Sequence, residues 1–402
     1  MLSKLNVSWE FYRCIICTIQ VKSASTSESM IMKSFIIVSL AFITSILVIL
    51  STAPSANASN SYQEDVLEHG KYLATIAGCI DCHTPFHEEY QDPAKMTLDQ
   101  LKVLSFNLGA AQDLNNKLLA GGRTFDLGPA GILFTRNLTP DMESGIGSWS
   151  DEQVKLAIKT GIDNEGKLLF PVMPYHVYNT MADSDLDALV AYLRSVKAVS
   201  NMIPKSTIST EGFPVPSYET GIIAPDPSDK AARGAYLVNS VMACTDCHTP
   251  VDPATGAPQL DKYLAGRQPY EGPWGIVYGG NITPDHETGI GTWTEEEIVR
   301  AITTGVRKDG RRLILMPWFN YVTLKSEDAE AIAYYLKNVL PAVKNEIPAP
   351  ALNEGFEEMV PEAQNQSATA DLTTSPMILV IAGLGVIFVV SFIAYYSRRK
   401  SA

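Results

Sequence analysis

A chain of 402 residues with 44 acidic and 31 basic side chains has a formal charge of -13, which excludes the phosphate-neutralising surface of a nucleic-acid binder. The length admits two or three domains. The acidity suits docking to a basic patch on a partner protein, or simply a well-solvated surface. Residues 1–58 hold four basic and two acidic side chains, so the rest of the chain stands at -15.

Residues 1–29 read as an upstream extension, since a secretory signal follows them and Met30 or Met32 would serve as a start. Cys14 and Cys17 lie there, with Thr18 next in line, and are expected to be absent from the mature protein. Residues 30–58 have the layout of a secretory signal peptide: Lys33, an apolar run from Ser34 to Leu50, and the small-x-small site Ala56-Asn57-Ala58. An uncleaved N-terminal anchor is the alternative.

From residue 62 the chain repeats itself. Gly70-x-Tyr72-Leu73 recurs as Gly234-x-Tyr236-Leu237, and Gly122-Arg123 as Gly266-Arg267. Cys79-Ile80-Asp81-Cys82-His83-Thr84-Pro85 recurs as Cys244-Thr245-Asp246-Cys247-His248-Thr249-Pro250. The run from Asn137 to Trp149 recurs from Asn281 to Trp293, Met173-Pro174-Tyr175 as Met316-Pro317-Trp318, and Ala191-Tyr192-Leu193 as Tyr334-Tyr335-Leu336. Each unit, 62–200 and 229–344, is expected to hold three helices. One leads into the Cys motif (Asp65–Ala77; Lys230–Met242). One opens with a capping box, Ser150-x-x-Gln153 or Thr294-x-x-Glu297. The last starts at Asp183 or Ser326 with acids in its first turn, and Leu186, Leu189, Val190 and Leu193 recur in it at helical spacing. Gly- and Pro-rich loops connect them. The first unit has an insertion of about twenty residues near Tyr90–Leu118, where Leu101, Leu104 and Leu108 suit a helix.

Residues 201–228, with five prolines, read as a linker, and 345–375 as a second, polar one. Residues 376–396 form an uncharged apolar run, long enough to span a bilayer. Arg398-Arg399-Lys400 would stay on the cytoplasmic side, which puts the two units on the other. A buried core helix is the alternative for this run.

Cys-x-x-Cys-His is the attachment signature of c-type haem. Two thiols on one helical turn reach the two vinyl groups of a porphyrin, and the adjoining imidazole lies under the iron. A redox dithiol or half a zinc site shares the Cys-x-x-Cys spacing. Two copies, each followed at once by His, favour haem, because the other four histidines do not complete a zinc site in both copies. Two covalently bound haem c groups are therefore expected, on Cys79, Cys82 and His83 and on Cys244, Cys247 and His248. The four motif cysteines leave no pair for a disulfide.

For the opposite axial position the repeat singles out Met173 and Met316, whereas Met181 aligns with Leu324 and Met142 with His286. A thioether is a soft ligand that raises the potential. His/Met ligation closes both faces of each iron, which suits carrying electrons and assigns no catalytic residue. A carbonyl at or before Pro85 and Pro250 is expected to orient the imidazole. Arg123 and Arg267 would pair with haem propionates or lie at the surface. Asn137, Thr139, Asn281 and Thr283 would bind propionates or build the turn. Trp149 and Trp293 read as core, and His69, His87, His176 and His286, without counterparts, as surface or structural.

Taken together, the Asn-x-Thr-Pro-Asp-x-Glu-x-Gly-Ile-Gly-x-Trp run, the Met-Pro-Tyr/Trp loop and the Cys-x-x-Cys-His-Thr-Pro motif mark a resemblance. Over about residues 62–200 and 229–345 the chain resembles the cytochrome c subunits of membrane-bound alcohol, gluconate and aldehyde dehydrogenases of Gram-negative bacteria. The resemblance implies an all-α protein, two tandem class I cytochrome c domains plus a C-terminal transmembrane helix, with axial pairs His83/Met173 and His248/Met316. It implies a subunit that passes electrons from a flavin- or quinone-dependent dehydrogenase to the respiratory chain. Such a subunit has no substrate site of its own and is anchored in the cytoplasmic membrane, with its haem domains in the periplasm. Those subunits usually hold three haems, and this chain has two motifs. Two other readings compete: a haem subunit of a quinol–cytochrome c or terminal oxidase complex, and a dihaem redox enzyme, either a peroxidase or a thiosulfate-oxidising cytochrome.

Overall fold

The computed structural model describes residues 56–252 and 256–356. The expected upstream extension, nearly all of the signal segment, the polar linker beyond residue 356 and the transmembrane run 376–396 lie outside the described residues. Two compact units are distinguished, residues 1–65 and 66–402. The first contributes only the opening turns of one helix to the described residues, and the second holds all the remaining elements. Among the described residues, no helix is long and apolar enough to cross a membrane.

The first repeat opens with α1 (Ala56–Ile76), which begins upstream of the expected Asp65 start. The one-turn helix α2 (Cys79–His83) comes next, then α3 (Leu98–Phe106) inside the insertion, opened by a capping box of Thr97 and Gln100. A hairpin of β1 (Thr124–Asp126) and β2 (Ile132–Phe134) pairs Phe125 with Leu133. Then come α4 (Asp151–Thr160), the single turn α5 (Tyr175–Tyr178) and α6 (Asp183–Ser195).

The second repeat runs through α7 (Lys230–Tyr236), continued by a wider turn over Leu237–Val241, and α8 (Cys244–His248). Strands β3 (Pro269–Gly272) and β4 (Gly275–Tyr278) pair antiparallel. They precede α9 (Glu295–Thr304), α10 (Trp318–Tyr321) and α11 (Ser326–Tyr334), and β5 (Ala351–Leu352) finally adds to β4. The framework is helical, as expected. Part of the expected irregular loops is instead short antiparallel sheet, because aromatic and branched residues such as Phe125, Ile132, Tyr270 and Val277 flank glycine turns.

Both expected capping boxes form. The Ser150 and Thr294 hydroxyls accept from the amides of Gln153 and Glu297 at 3.2 Å, and those side chains accept from the cap amides at 2.9 Å. Gly161 and Gly305 then close α4 and α9 with φ of 75° and 68°. A side chain there would strike the rings of Tyr175 and Trp318 at 2.5 and 2.4 Å. The expected apolar stripe of α6 is buried in full. Its partner is α1, and the two helices meet at Gly70, where a Cβ would stand 2.0 Å from the Ala188 carbonyl oxygen. Gly234 plays the same part against Ala331, also at 2.0 Å.

The two repeats share one continuous hydrophobic core. A reciprocal pair of polar clasps joins them. Tyr72 donates to Asp328 Oδ2 and Tyr236 to Asp185 Oδ2, each at 2.6 Å and each across the halves. Each aspartate also holds a partner in its own half. Arg233 grips Asp328 with Nε at 2.7 Å and Nη2 at 2.9 Å, while His69 meets Asp185 at 2.8 Å. Each buried carboxylate is thereby satisfied, as burial requires.

Two further segments tie the halves down. The segment 201–228 is a strap over the first repeat, not a free linker. Thr207 donates its amide to the Ile132 carbonyl, Gly221 to Asp183 Oδ2, and the Ile222 carbonyl accepts from the Asp183 amide. The fully buried Lys159 ammonium donates to the Glu219 carbonyl at 2.5 Å. The inserted helix α3 belongs to the first repeat in sequence but covers the second. The Ser105 carbonyl accepts from the Leu315 amide at 2.9 Å and the Phe106 carbonyl from Trp318 Nε1 at 2.7 Å.

Candidate haem-binding site

Each Cys motif forms a single helical turn, so Cys79, Cys82 and His83 share one face, as do Cys244, Cys247 and His248. The residue ahead of each turn is left-handed, Gly78 at φ 79° and Ala243 at φ 51°. The threonine after each His anchors the turn: Thr84 Oγ1 accepts from the Leu119 amide and Thr249 Oγ1 from the Leu264 amide, both at 3.1 Å. The His83 and His248 carbonyls accept from the Gly121 and Gly266 amides at 2.7 and 2.6 Å.

The imidazoles are held in the same way in both repeats. His83 Nδ1 lies 2.7 Å from the Arg136 carbonyl oxygen, and His248 Nδ1 lies 2.7 Å from that of Gly280. A carbonyl only accepts, so Nδ1 carries the proton and Nε2 of the neutral ring presents a lone pair. The acceptor is therefore the residue just before Asn137 or Asn281, not the proline segment after the histidine. The Pro85 and Pro250 carbonyls are engaged by the Asp113 and Gln259 amides. Burial holds His83 in its neutral form, pushing its pKa down to about 4 against the pull of the Arg136 hydrogen bond. Burial lowers His248 in the same sense.

The thiols are raised. Burial, and then the neighbouring thiol, push Cys79 and Cys244 up to about 12, and burial pushes Cys82 up to about 11. Redox dithiols need the opposite, a sulfur held as thiolate at neutral pH. Among the described residues, no group of three or more His, Cys, Asp and Glu side chains converges on a metal ion. A pair of vinyl-reactive thiols beside an imidazole with a free Nε2 is the donor set that c-type haem attachment uses, and these residues fit it.

Met173 and Met316 are partly buried against the same core as Cys79 and Cys244. The loop that carries each is tight, with the Met173 and Met316 carbonyls accepting from the Tyr175 and Trp318 amides at 2.8 Å. Met181 is fully buried and Met142 is 69% exposed, so neither has the setting of the Met-Pro pair.

The expected equivalence of Arg123 and Arg267 does not hold. The Gly122 amide donates to the Thr135 carbonyl and the Arg267 amide to the Gly279 carbonyl, so Arg267 occupies the place of Gly122, not that of Arg123. Arg123 binds Asp81 Oδ1 at 2.8 Å beneath the rings of Phe86 and Phe125. Arg267 is exposed and donates to the Glu346 carbonyl at 2.9 Å. Asn137 and Thr139 build a turn. Asn137 Oδ1 accepts from both the amide and the hydroxyl of Thr139, and its Nδ2 donates to Ser144 and to the Val199 carbonyl. Asn281 and Thr283 repeat this around Thr288 and Val343.

Sequence reasoning missed that each Met-bearing segment reaches the other repeat's Cys motif. His176 Nε2 lies 2.9 Å from Asp246 Oδ1, between Cys244 and Cys247. Asn320 lies within reach of Asp81, between Cys79 and Cys82, and favours its charged form. Each segment also holds its own repeat: Tyr178 donates to the Ala77 carbonyl, and Tyr321 to that of Met242 at 3.3 Å, two residues ahead of the Cys motif in each case. The only sequence signal was an acid at the same place in both motifs. His69 is engaged with Asp185, and His286 is exposed.

No family model matches the chain. It is 29% identical over 301 residues to the cytochrome c subunit of the quinone alcohol dehydrogenase of Gluconobacter oxydans, a match covering 70% of this chain and 56% of that protein. It is also 29% identical over 295 residues to a nicotinate dehydrogenase subunit of Pseudomonas putida, covering 69% of this chain and 22% of that protein. A diheme cytochrome c-type protein of Cereibacter sphaeroides is 28% identical over 253 residues, covering 56% of this chain and 77% of its own length. The chain thus spans about half or less of the length of the two dehydrogenase relatives. With the doubled Cys-x-x-Cys-His cradle, these similarities show a chain that resembles the cytochrome c subunits of alcohol, fructose and gluconate dehydrogenases and a diheme c-type cytochrome.

Proposed function

We propose that this chain is an electron-transfer cytochrome with two covalent haem c groups, one in each of two tandem class I cytochrome c domains at about 62–200 and 229–344. Cys79 and Cys82, and Cys244 and Cys247, would form the thioethers. His83 with Met173, and His248 with Met316, would be the axial pairs. The observation that carries this is the cradle built twice, with each imidazole fixed through Nδ1 on a carbonyl and left with a lone pair on Nε2. When bound, such a group supplies reversible one-electron chemistry at a potential set by its axial ligands. The protein orients the imidazoles, and its buried surroundings keep them neutral.

The donor would be a dehydrogenase, as the similarity to dehydrogenase cytochrome subunits suggests, and the acceptor a component of the respiratory chain. The signal-like segment 30–58, the apolar run 376–396 and the basic residues behind it support a single-pass anchor with the haem domains in the periplasm. Mass spectrometry of the purified full chain should find two tetrapyrroles per polypeptide, and fewer than two overturns the dihaem reading. Co-purification from mild detergent should recover a dehydrogenase, whereas a quinol–cytochrome c or terminal oxidase complex in its place would reassign the partner.

A further inference from the structure

The two repeats present equivalent turns beside their Met loops, and these turns differ sharply in charge. In the first repeat, Ile162 bridges Leu168, and the turn holds Asp163, Glu165 and Lys167, one cation against two acids. In the second, Val306 bridges Arg312, and the turn holds Arg307, Lys308, Asp309, Arg311 and Arg312, four cations against one acid. A turn at net -1 thus has a counterpart at net +3, in a chain whose overall charge is -13. Arg300, exposed on α9, extends the basic surface by donating to the Arg307 carbonyl at 3.1 Å.

Acids among the described residues meet part of that charge. Asp309 receives Arg311 at 2.7 Å and stands 3.6 Å from Arg307 Nε, while Glu297 stands 3.4 Å from Lys308. The side chains of Arg307, Lys308 and Arg311 are each about two-fifths exposed. The turn begins at Gly305, which packs on the Trp318 ring, and Trp318 in turn donates its amide to the Met316 carbonyl. Its last arginine precedes Met316 by four residues.

We infer that this basic turn is the docking surface for an acidic redox protein, which it seats beside the Met316 loop. The inference rests on the electron-transfer reading above. Four of the five cations are arginine, whose planar fork matches carboxylates two bonds at a time. Arg311 sets Nε at 2.9 Å and Nη2 at 2.7 Å from a single Asp309 oxygen, Oδ2. The opposite sign of the first-repeat turn repels the same partner, so the two turns are told apart by charge. An anionic membrane surface is the weaker match, because no apolar side chain for insertion projects from the turn between Arg307 and Arg312.

The test uses the haem-loaded full chain in detergent and its Arg307→Glu/Arg312→Glu variant, with Arg300→Glu on the helix as a second variant whose folding does not depend on the turn. The probes are a fluorescent hexaglutamate peptide, hexacyanoferrate(III) as an anionic oxidant, and vesicles containing phosphatidylglycerol. Wild type should bind hexaglutamate with an affinity that falls steeply with salt. The double variant should lose about tenfold or more at low salt. Oxidation by hexacyanoferrate(III) should slow by a similar factor, and raising the salt should no longer slow it. Peptide binding unchanged by either variant overturns the proposal, as does vesicle binding that the variants abolish while peptide binding persists. Peptide binding needs no electron transfer, so failure of the docking site and failure of the cytochrome reading are distinguishable.

Discussion

Replacing Asp328 with alanine tests how the halves are held together. The carboxylate is 2% exposed and its Arg233 partner 8% exposed. Arg233 donates to both carboxylate oxygens, and Tyr72 from the other half adds a third bond at 2.6 Å. Removal strands a buried guanidinium, which costs about 3–5 kcal/mol. The orphaned phenol adds about 1–3 kcal/mol, but the two losses share one acceptor and do not sum. A loss of about 4 kcal/mol is expected, a large part of a typical total of roughly 5–15 kcal/mol.

Asp185 is the internal control. Its partner His69 is 31% exposed and so keeps access to water, and Tyr236 keeps a bond to the Ala182 amide. Asp185→Ala should therefore cost only about 2 kcal/mol. Urea unfolding of the haem-loaded protein, followed by far-UV circular dichroism, measures both. The double variant Arg233→Met/Asp328→Leu should recover much of the loss, because apolar pairs replace buried ion pairs well. Equal losses at Asp328 and Asp185, or a loss under about 1 kcal/mol at Asp328, would refute the assignment of a stranded charge.

Gly234→Ala should destabilise by about 3 kcal/mol or more, since its Cβ would stand 2.0 Å from a helix carbonyl that cannot rotate away; thermal unfolding checks it. Despite burial, hydrogen bonds from His69 and Tyr236 hold the Asp185 carboxyl below its usual value. A depressed carboxyl stabilises the fold above its unfolded pKa near 3.9 and loses that contribution as pH falls through the folded value. Asp185→Asn should thus flatten the stability slope below about pH 4, measured by unfolding at stepped pH. Met173→Leu and Met316→Leu should each lower one of two midpoint potentials by a sizeable share of the roughly 0.8 V range that axial ligands control. A redox titration that does not move rules out that methionine.

What could be read from the sequence was whatever repeats or caps locally. The Cys motifs, the capping boxes at Ser150 and Thr294 and the apolar stripe of α6 depend on neighbours within a few residues. The imidazole acceptor does not, because Arg136 lies 53 residues beyond His83 and Gly280 lies 32 beyond His248. A backbone carbonyl also leaves no mark on residue type. The arginine register slipped by one because Gly121-Gly122 faces Gly266-Arg267, and identical dipeptides one step apart align better than the backbone does. The hairpins went unseen because strands of three or four residues are too short for alternation to emerge. Proline count marked 201–228 as a spacer, yet several of its carbonyls and amides bond the first repeat.

The inserted helix α3 breaks the equivalence of the two repeats. A fragment cut anywhere between residues 200 and 228 would separate the Met316 loop from the roof that the first copy lends it, leaving Trp318 Nε1 and the Leu315 amide without the Phe106 and Ser105 carbonyls. The stretch that makes the copies unequal thus also makes the second lean on the first.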